Sequence, residues 1–301
     1  MNITVIGESN IDIIVKPCCT DGFTVSSGGC RPSRIRFHHG GVARNIAHNL
    51  CLLGHDVRLM TVFGGDDFAA RLIDDCECIG MDVSLSTRFE GEQSPIFLSF
   101  NNSEGEMQSA FSDVGLNRHM DLDWLKGKMP SINRTELVVA DTLLSVEALA
   151  HLIDHCAVPL FVDTVSPPKA KRFAEALSLS ERHGIHALKC NLAEAQAITK
   201  ETDAIEAAKQ LNDRGVSQVY LTIGSSGVIH CAKGVAKSFP ALSATVQNTT
   251  GSGDAFFAGI IHAHTLGHFA EHAIPIGLEM AKRNLEAEEV VSGIKKNSET
   301  T

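Results

Sequence analysis

Short apolar runs bounded by turn residues alternate along the chain with segments whose apolar positions recur at helical period, the pattern of strands and helices built around a parallel sheet. Residues Asn2 to Gly7 predict a first buried strand, Gly41 to Leu53 a helix, Val57 to Val62 a strand and Phe68 to Ile79 a helix. The alternation resumes with strands at Glu136 to Ala140, Leu160 to Asp163 and Gln218 to Ile223, and helices near Val146 to His155 and Ala204 to Asp213. Two stretches break the rhythm, Ile11 to Phe37 and Ser86 to Phe111, where β-like runs such as Pro95 to Phe100 sit among Gly, Ser, Asn and charged residues. They predict strand excursions that form a small open sheet, able to cover a site or to pair with another subunit; the competing reading is long surface loops. The expected fold class is α/β, with a core from residues 1–11, 38–85 and 114–301 and a β lid from 12–37 and 86–113.

Composition narrows the function. At 301 residues and 44% hydrophobic, the chain can bury one large core with a small appendage. A net charge of −10 argues against nucleic acid or an anionic membrane as partner. It leaves room for a phosphate, because main-chain amides that cradle anions carry no formal charge. Nine scattered cysteines do not form a disulfide framework and fit a reducing cytoplasm. The tight pairs Cys76/Cys78 and Cys18/Cys19 lack the second pair a zinc site needs. The chain runs straight into Ile3, Val5 and Ile6 without a basic leader, and no apolar run of about 18 residues occurs, so neither signal peptide nor membrane span is expected. The polar stretch Lys295 to Thr301 reads as a frayed tail.

The stretch Val246-Gln-Asn-Thr-Thr-Gly-Ser-Gly-Asp-Ala-Phe-Phe-Ala-Gly259 carries the most chemistry. Small residues precede an acid and an apolar helix, so Gly251, Ser252 and Gly253 would present free amides at a helix N-terminus, which attracts anions. In an isolated Gly-x-Gly-Asp the acid is most simply a partner of the helix dipole. Beside phosphate-binding amides, Asp254 can also accept the proton of an attacking hydroxyl. The Walker pattern is absent, and no Gly-x-Gly-x-x-Gly follows the first strand, which excludes a P-loop enzyme and argues against a Rossmann oxidoreductase.

Asn248-Thr-Thr-Gly-Ser-Gly-Asp254 followed by Ala-Phe-Phe-Ala-Gly259 resembles the C-terminal signature of the ribokinase-like (PfkB) kinases. Gly40-Gly-Val-Ala-Arg-Asn-Ile-Ala47 resembles the Gly-Gly-x-x-x-Asn helix opening of the same family, in the family's order. Gly7-Glu-Ser-Asn-Ile-Asp12, Lys189-Cys-Asn-Leu-Ala-Glu194 and Leu221-Thr-Ile-Gly-Ser-Ser-Gly227 are similar to three further family segments, so the likeness covers about residues 2 to 280. It implies a three-layer α/β/α core with a β lid, and transfer of a phosphoryl group from ATP with Mg2+ to a small-molecule alcohol. The site it implies has Asp254 as base with Gly251, Ser252 and Gly253 as the anion-binding amides. Asn10, Asp12, Gly40, Gly41 and Asn45 would bind substrate; Asn191, Glu194, Thr222, Gly224 and Gly227 would line the nucleotide, with Glu194 reaching the metal through water. The residue chemistry agrees: an ionised Asp12 is acceptor-only and suits vicinal hydroxyls, it stands where open α/β sheets bind ligands, and Asn191 and Glu194 share a helix face.

Family membership leaves open ribose, fructose, fructose phosphates, ketodeoxygluconate, adenosine and pseudouridine. The segments Gly40 to Leu50, Val162 to Ala170 and Pro95 to Val114, the last with a hairpin turn at Asn102 to Glu106, are most similar to members acting on pseudouridine. The expected reaction is therefore phosphorylation of a nucleoside 5′-hydroxyl; the alternatives are a sugar or another nucleoside, and, more remotely, a nucleoside-binding regulator without turnover. Asn248 replaces an aspartate that helps many relatives hold a monovalent cation, which puts potassium activation in doubt. His264, His268 and His272, with His262 nearby, read as a solvated stripe, and His38 and His39 as neighbours of the substrate. The sequence leaves the oligomeric state open, and a lid with free edges could pair into a homodimer.

Overall fold

The computed structural model describes residues 1–18, 32–102, 107–182, 184–268, 270–287 and 291. Residues 19–31 of the first excursion, residues 103–106 of the expected hairpin turn and the tail at 295–301 lie outside the described residues.

In chain order the elements are β1 (Asn2–Ile6), β2 (Asn10–Pro17), β3 (Ser33–Gly40), α1 (Val42–Leu52), β4 (Asp56–Met60), β5 (Val62–Gly64), α2 (Asp67–Cys78), β6 (Thr87–Phe89), β7 (Ile96–Asn101), β8 (Met107–Asp113), α3 (Leu122–Lys126), α4 (Met129–Ile132) and β9 (Leu137–Asp141). There follow α5 (Val146–His155), β10 (Leu160–Asp163), α6 (Pro167–Leu179), β11 (Ile185–Asn191), α7 (Leu192–Thr199), α8 (Ala204–Asp213), β12 (Val216–Thr222), β13 (Val228–Ala232), β14 (Val235–Phe239), α9 (Ser252–Thr265) and α10 (Ala270–Leu285).

The main sheet has eight strands in the order β14-β13-β12-β11-β10-β9-β1-β4. Strands β9 and β10 are buried along their whole length, as parallel strands covered on both faces must be. Their side chains alternate between two cores. Val138, Ala140, Leu160 and Val162 face α5 to α8, whereas Leu137, Val139 and Phe161 face α1, α9 and α10. This is the three-layer α/β/α architecture the sequence predicts. Only the pairings of β12 with β13 and β13 with β14 are antiparallel.

A separate sheet in the order β3-β2-β7-β8 forms from the two excursions. One edge of it, β8, is exposed along its length. The expected strand Val57 to Val62 is instead split. The chain leaves the main sheet at Thr61, whose N–H is met by Ser86 Oγ at 3.1 Å while that hydroxyl donates to Leu59 O at 2.9 Å. With its backbone satisfied by a side chain, β5 is released to pair with β6. The last helix begins at Ala270 and crosses α9 so closely that a Cβ on Gly259 would lie 2.8 Å from Gly277 Cα.

The histidine stripe departs from the solvated reading. His262 Nδ1 lies 2.9 Å from His55 Nε2, and the His264 ring packs against His186 and Phe161 with centroids 4.5 and 5.2 Å away. Only His268 and His272 are exposed. The stripe does not form on one helix: His262 and His264 lie on α9, which packs on the sheet, whereas His268 sits in the turn after it and His272 on α10.

Candidate active site

The N-terminus of α9 has no side-chain cap, because its N-cap is a glycine and the neighbouring Asn248 and Ser252 bond within the preceding loop. Gly251 occupies the N-cap in a left-handed conformation (φ 81°) and provides no side-chain bond to the first amides, so that end of the helix stays open to an anion. A Cβ on Gly253 would come within 2.9 Å of Lys189 Nζ, so a glycine there lets an ammonium approach the open amides. Ser252 donates its hydroxyl to Thr249 O at 3.0 Å, and Asn248 Oδ1 accepts from Thr250 N–H at 3.0 Å, which fold the preceding loop onto the helix start.

Asp254 sits in the first turn, 7% exposed. Its Oδ2 accepts a 2.9 Å bond from Asn45 Nδ2, a residue 209 positions away on α1. Burial, reinforced by the Asp163 carboxylate, pushes its pKa up to about 7, against the pull of Lys189 and of the Asn45 bond. Lys189 itself pairs with Asp163 at 3.0 Å. Burial opposes its charge, but Asp163, Glu194 and Asp254 together outweigh that, and its ammonium is held above the ordinary lysine range.

A second group surrounds Asp12 on β2. Asn10 Nδ2 donates to Asp12 Oδ1 at 3.1 Å, and the register sets Asn10 opposite Gly40. Any side chain at Gly40 would collide with the Asp12 carboxylate, and Gly41, at φ 98°, turns the chain into α1. The Asp12 pKa is pushed up to about 7, chiefly by burial and also by Glu8. His39 Nδ1 stands 3.2 Å from Asp75, and its carbonyl accepts from Arg44 Nη1 at 2.9 Å, while Arg44 also pairs with Asp75. His39 thus ties the lid strand to α1 and α2.

The third group closes the other side. Asn191 caps α7 and forms a reciprocal box with Glu194: Glu194 N–H donates to Asn191 Oδ1 at 2.9 Å, and Asn191 N–H to Glu194 Oε2 at 2.8 Å. Thr164 Oγ1 donates to the same Oε2 at 2.7 Å, leaving Glu194 1% exposed. The register sets Asn191 beside Thr222. Beyond Thr222, Gly224 and Gly227 shape a tight turn, and Gly227 (φ 102°) passes so close to Phe239 O that a Cβ would collide with it.

The structure therefore joins Asp254 to Asn45 directly, and places Asn191, Glu194 and Thr222 together. Lys189 and Asp163 lie between these groups and were not among the sequence candidates. The signal for Lys189 was its position two residues before Asn191 on one strand, which puts both on the same face at the ligand-binding end of the sheet. Asp163 carries the same signal at the end of β10. Among the described residues no cluster of three or more His, Cys, Asp or Glu side chains is arranged to hold a metal by itself.

The mainly parallel sheet between two helix layers, with these groups gathered at the carboxyl ends of its strands, has the ribokinase-like α/β fold. The chain belongs to the pfkB family of carbohydrate kinases, matching the family over residues 1–297, and is a phosphotransferase with an alcohol acceptor, a sugar or nucleoside kinase. It is 31% identical to the pseudouridine kinase of Escherichia coli (strain K12) over 268 residues, 86% of this chain and 82% of that protein. It is 26% identical to the guanosine-inosine kinase of Exiguobacterium acetylicum over 262 residues, 82% of this chain and 83% of that one. The fold superposes on the ribokinase of Thermotoga maritima with a TM-score of 0.81 at 22% identity, covering 95% of this chain and 93% of the other.

Proposed function

We propose that the chain transfers the γ-phosphoryl group of ATP to the 5′-hydroxyl of a nucleoside, pseudouridine before others. The observation that carries the reaction is the Asp254 carboxylate, buried, held by Asn45 and raised to about 7, beside the uncapped start of α9. A base of that pKa removes a hydroxyl proton most effectively near neutrality. In this reading Asp12, Asn10 and Gly40 bind the ribose hydroxyls and so hold the 5′-oxygen against Asp254. The amides of Ser252 and Gly253 and the Lys189 ammonium meet the charge on the transferring group. Asn191, Thr222 and the turn at Gly224 to Gly227 line the nucleotide.

The residues fit a nucleotide-borne magnesium ion: Glu194 would hold it through water, its own oxygens being occupied by Asn191 and Thr164, and the ion would neutralise phosphate oxygens. The likeness to the Escherichia coli pseudouridine kinase supports the choice of substrate, and that to the guanosine-inosine kinase supports the nucleoside class more broadly.

We also propose a homodimer through the lid, because Ile35, Phe37, Met107 and Phe111 are all more than half exposed on its two outer strands. No helix among the described residues is long and apolar enough to cross a membrane. We place the activity in the cytoplasm, where ATP is supplied and the free thiols stay reduced. The test is a panel of pseudouridine, uridine, inosine, adenosine, ribose and fructose with ATP and magnesium. Pseudouridine should show the highest kcat/KM; a sugar outranking every nucleoside would overturn the substrate assignment, and no turnover of any would overturn the reaction.

A further inference from the structure

Near Asp12, three polar side chains from three separate elements meet. Glu8, at the corner between β1 and β2, is 5% exposed. Its Oε1 accepts from Asn117 Nδ2 at 3.2 Å, and its Oε2 lies 3.5 Å from Lys169 Nζ. Asn117 belongs to the 3-10 turn at Gly115–His119 that follows the lid strand β8, and Lys169 to the first turn of α6. The Glu8 backbone is fixed: its N–H donates to Asp141 Oδ2 at 2.7 Å and its carbonyl accepts from Arg44 N–H at 3.2 Å. This corner serves none of the roles assigned above.

Two features mark it as built for a ligand. Asn117 is 7% exposed, yet its Oδ1 has no partner among the described residues, and a buried acceptor left empty is unfavourable in a folded protein. Lys169, 21% exposed, is the most open of the three, whereas the Glu8 carboxylate is enclosed. The corner thus presents two acceptors and a cation: the Glu8 carboxylate, which touches both Asn117 and Lys169, the open Asn117 Oδ1, and the Lys169 ammonium. It is also electrostatically continuous with the ribose acid, since Glu8 contributes to raising the Asp12 pKa and Asp12 in turn contributes at Asp254. Glu8 follows the carboxyl end of β1, Lys169 stands in the first turn of the helix after β10 and Asn117 follows the lid strand β8, so the corner stands at the ligand-binding edge of the sheet, next to the ribose acid.

Resting on the nucleoside reading, we infer that Glu8, Lys169 and Asn117 recognise the base, Glu8 and Asn117 Oδ1 each accepting a ring N–H and Lys169 donating to a ring carbonyl. A uracil joined to ribose through carbon keeps two ring N–H groups flanking a carbonyl, the complement of this set. A uracil joined through nitrogen has lost one of them. A site with buried acceptors discriminates strongly against a ligand that leaves one unpaired. The corner therefore selects C-nucleosides over their N-linked isomers, and because Asn117 follows β8, base binding also draws on the lid.

The experiment compares the full-length enzyme and Glu8→Gln with pseudouridine, 1-methylpseudouridine, 3-methylpseudouridine and uridine. In the wild type, blocking or removing a ring N–H should lower kcat/KM at least about tenfold. In Glu8→Gln the loss for one of the methylated substrates should shrink to about threefold or less, because the amide sets an NH2 donor where a carboxylate oxygen had accepted the ring N–H of the unmethylated substrate. Lys169→Met, on the open side, should raise KM for pseudouridine at least about fivefold, with the change in KM exceeding that in kcat; this variant carries the test if Glu8→Gln does not fold. Nucleoside turnover with the methyl penalties unchanged in Glu8→Gln, or an unchanged KM in Lys169→Met, would overturn base recognition alone. Sugar turnover without nucleoside turnover would overturn the nucleoside reading and this one with it.

Discussion

Asp254 has its proton affinity raised by burial and by Asp163, and in the proposed reaction only its unprotonated form can take the hydroxyl proton. Activity should therefore fall as pH drops through about 7, and a kcat/KM profile should show that lower limb with a slope of one proton. Asp254→Asn should keep the Asn45 contact region packed but lower kcat by about a thousandfold, within the range general bases contribute, with a much smaller change in KM. Near-normal kcat would exclude the assignment. The same acid should weaken the fold. Asp12, Asp141 and Asp254 all rise from an ordinary 3.8 to about 7 on folding, mainly through burial. Between those values the folded chain binds protons that the unfolded chain has released, so stability falls as pH rises toward 7 and stays lower above it. Asp254→Asn should then raise Tm at pH 8 by roughly 2–4 °C, measured calorimetrically without ligands, an activity-for-stability exchange.

At the scale of elements, the site depends on how α9 is seated. Its start faces the cleft because its middle packs on α10 at the Gly259–Gly277 crossing and on the sheet through Phe257. Gly259→Val should push the helices apart and destabilise the protein by about 1–3 kcal/mol, read as a lower urea midpoint; an unchanged midpoint would show that the crossing tolerates side chains. Several elements are legible in the sequence to the residue: α5, α8 and β10 have the predicted limits. For α5 and α8 the reason is local, since Ser145 and Asp203 cap their helices through their own side chains. The β13–β14 hairpin escapes sequence reading because its strands are short and its turn is Lys233-Gly234, two residues at positive φ where asparagine or aspartate is the usual signal. Helix α6 is hidden by its Pro167-Pro168 opening, which reads as a break although proline suits a first turn.

For the whole molecule, the lid leaves apolar side chains on both outer strands, Phe37 59% and Phe111 64% exposed. If these faces pair, light scattering should find a dimer, and the double variant Phe37→Asp/Phe111→Asp should elute as a monomer with the core intact by circular dichroism; a wild-type monomer at micromolar concentration would refute the lid interface. Of the candidate residues, the amide-bearing run at Gly251 to Gly253 and the cap pair Asn191 and Glu194 are visible in the sequence because their chemistry is local, decided by residues next to one another. The pairing of Asn45 with Asp254, the Lys189–Asp163 ion pair and the meeting of Glu8, Asn117 and Lys169 are not. The sequence by itself determined the alternating pattern, the helix caps and the signature runs, since these depend on neighbours a few positions apart. Which distant side chains share a cleft, and what proton affinity burial gives them there, only the tertiary structure decided, because desolvation and long-range contact exist only once the sheet has brought its strand ends together.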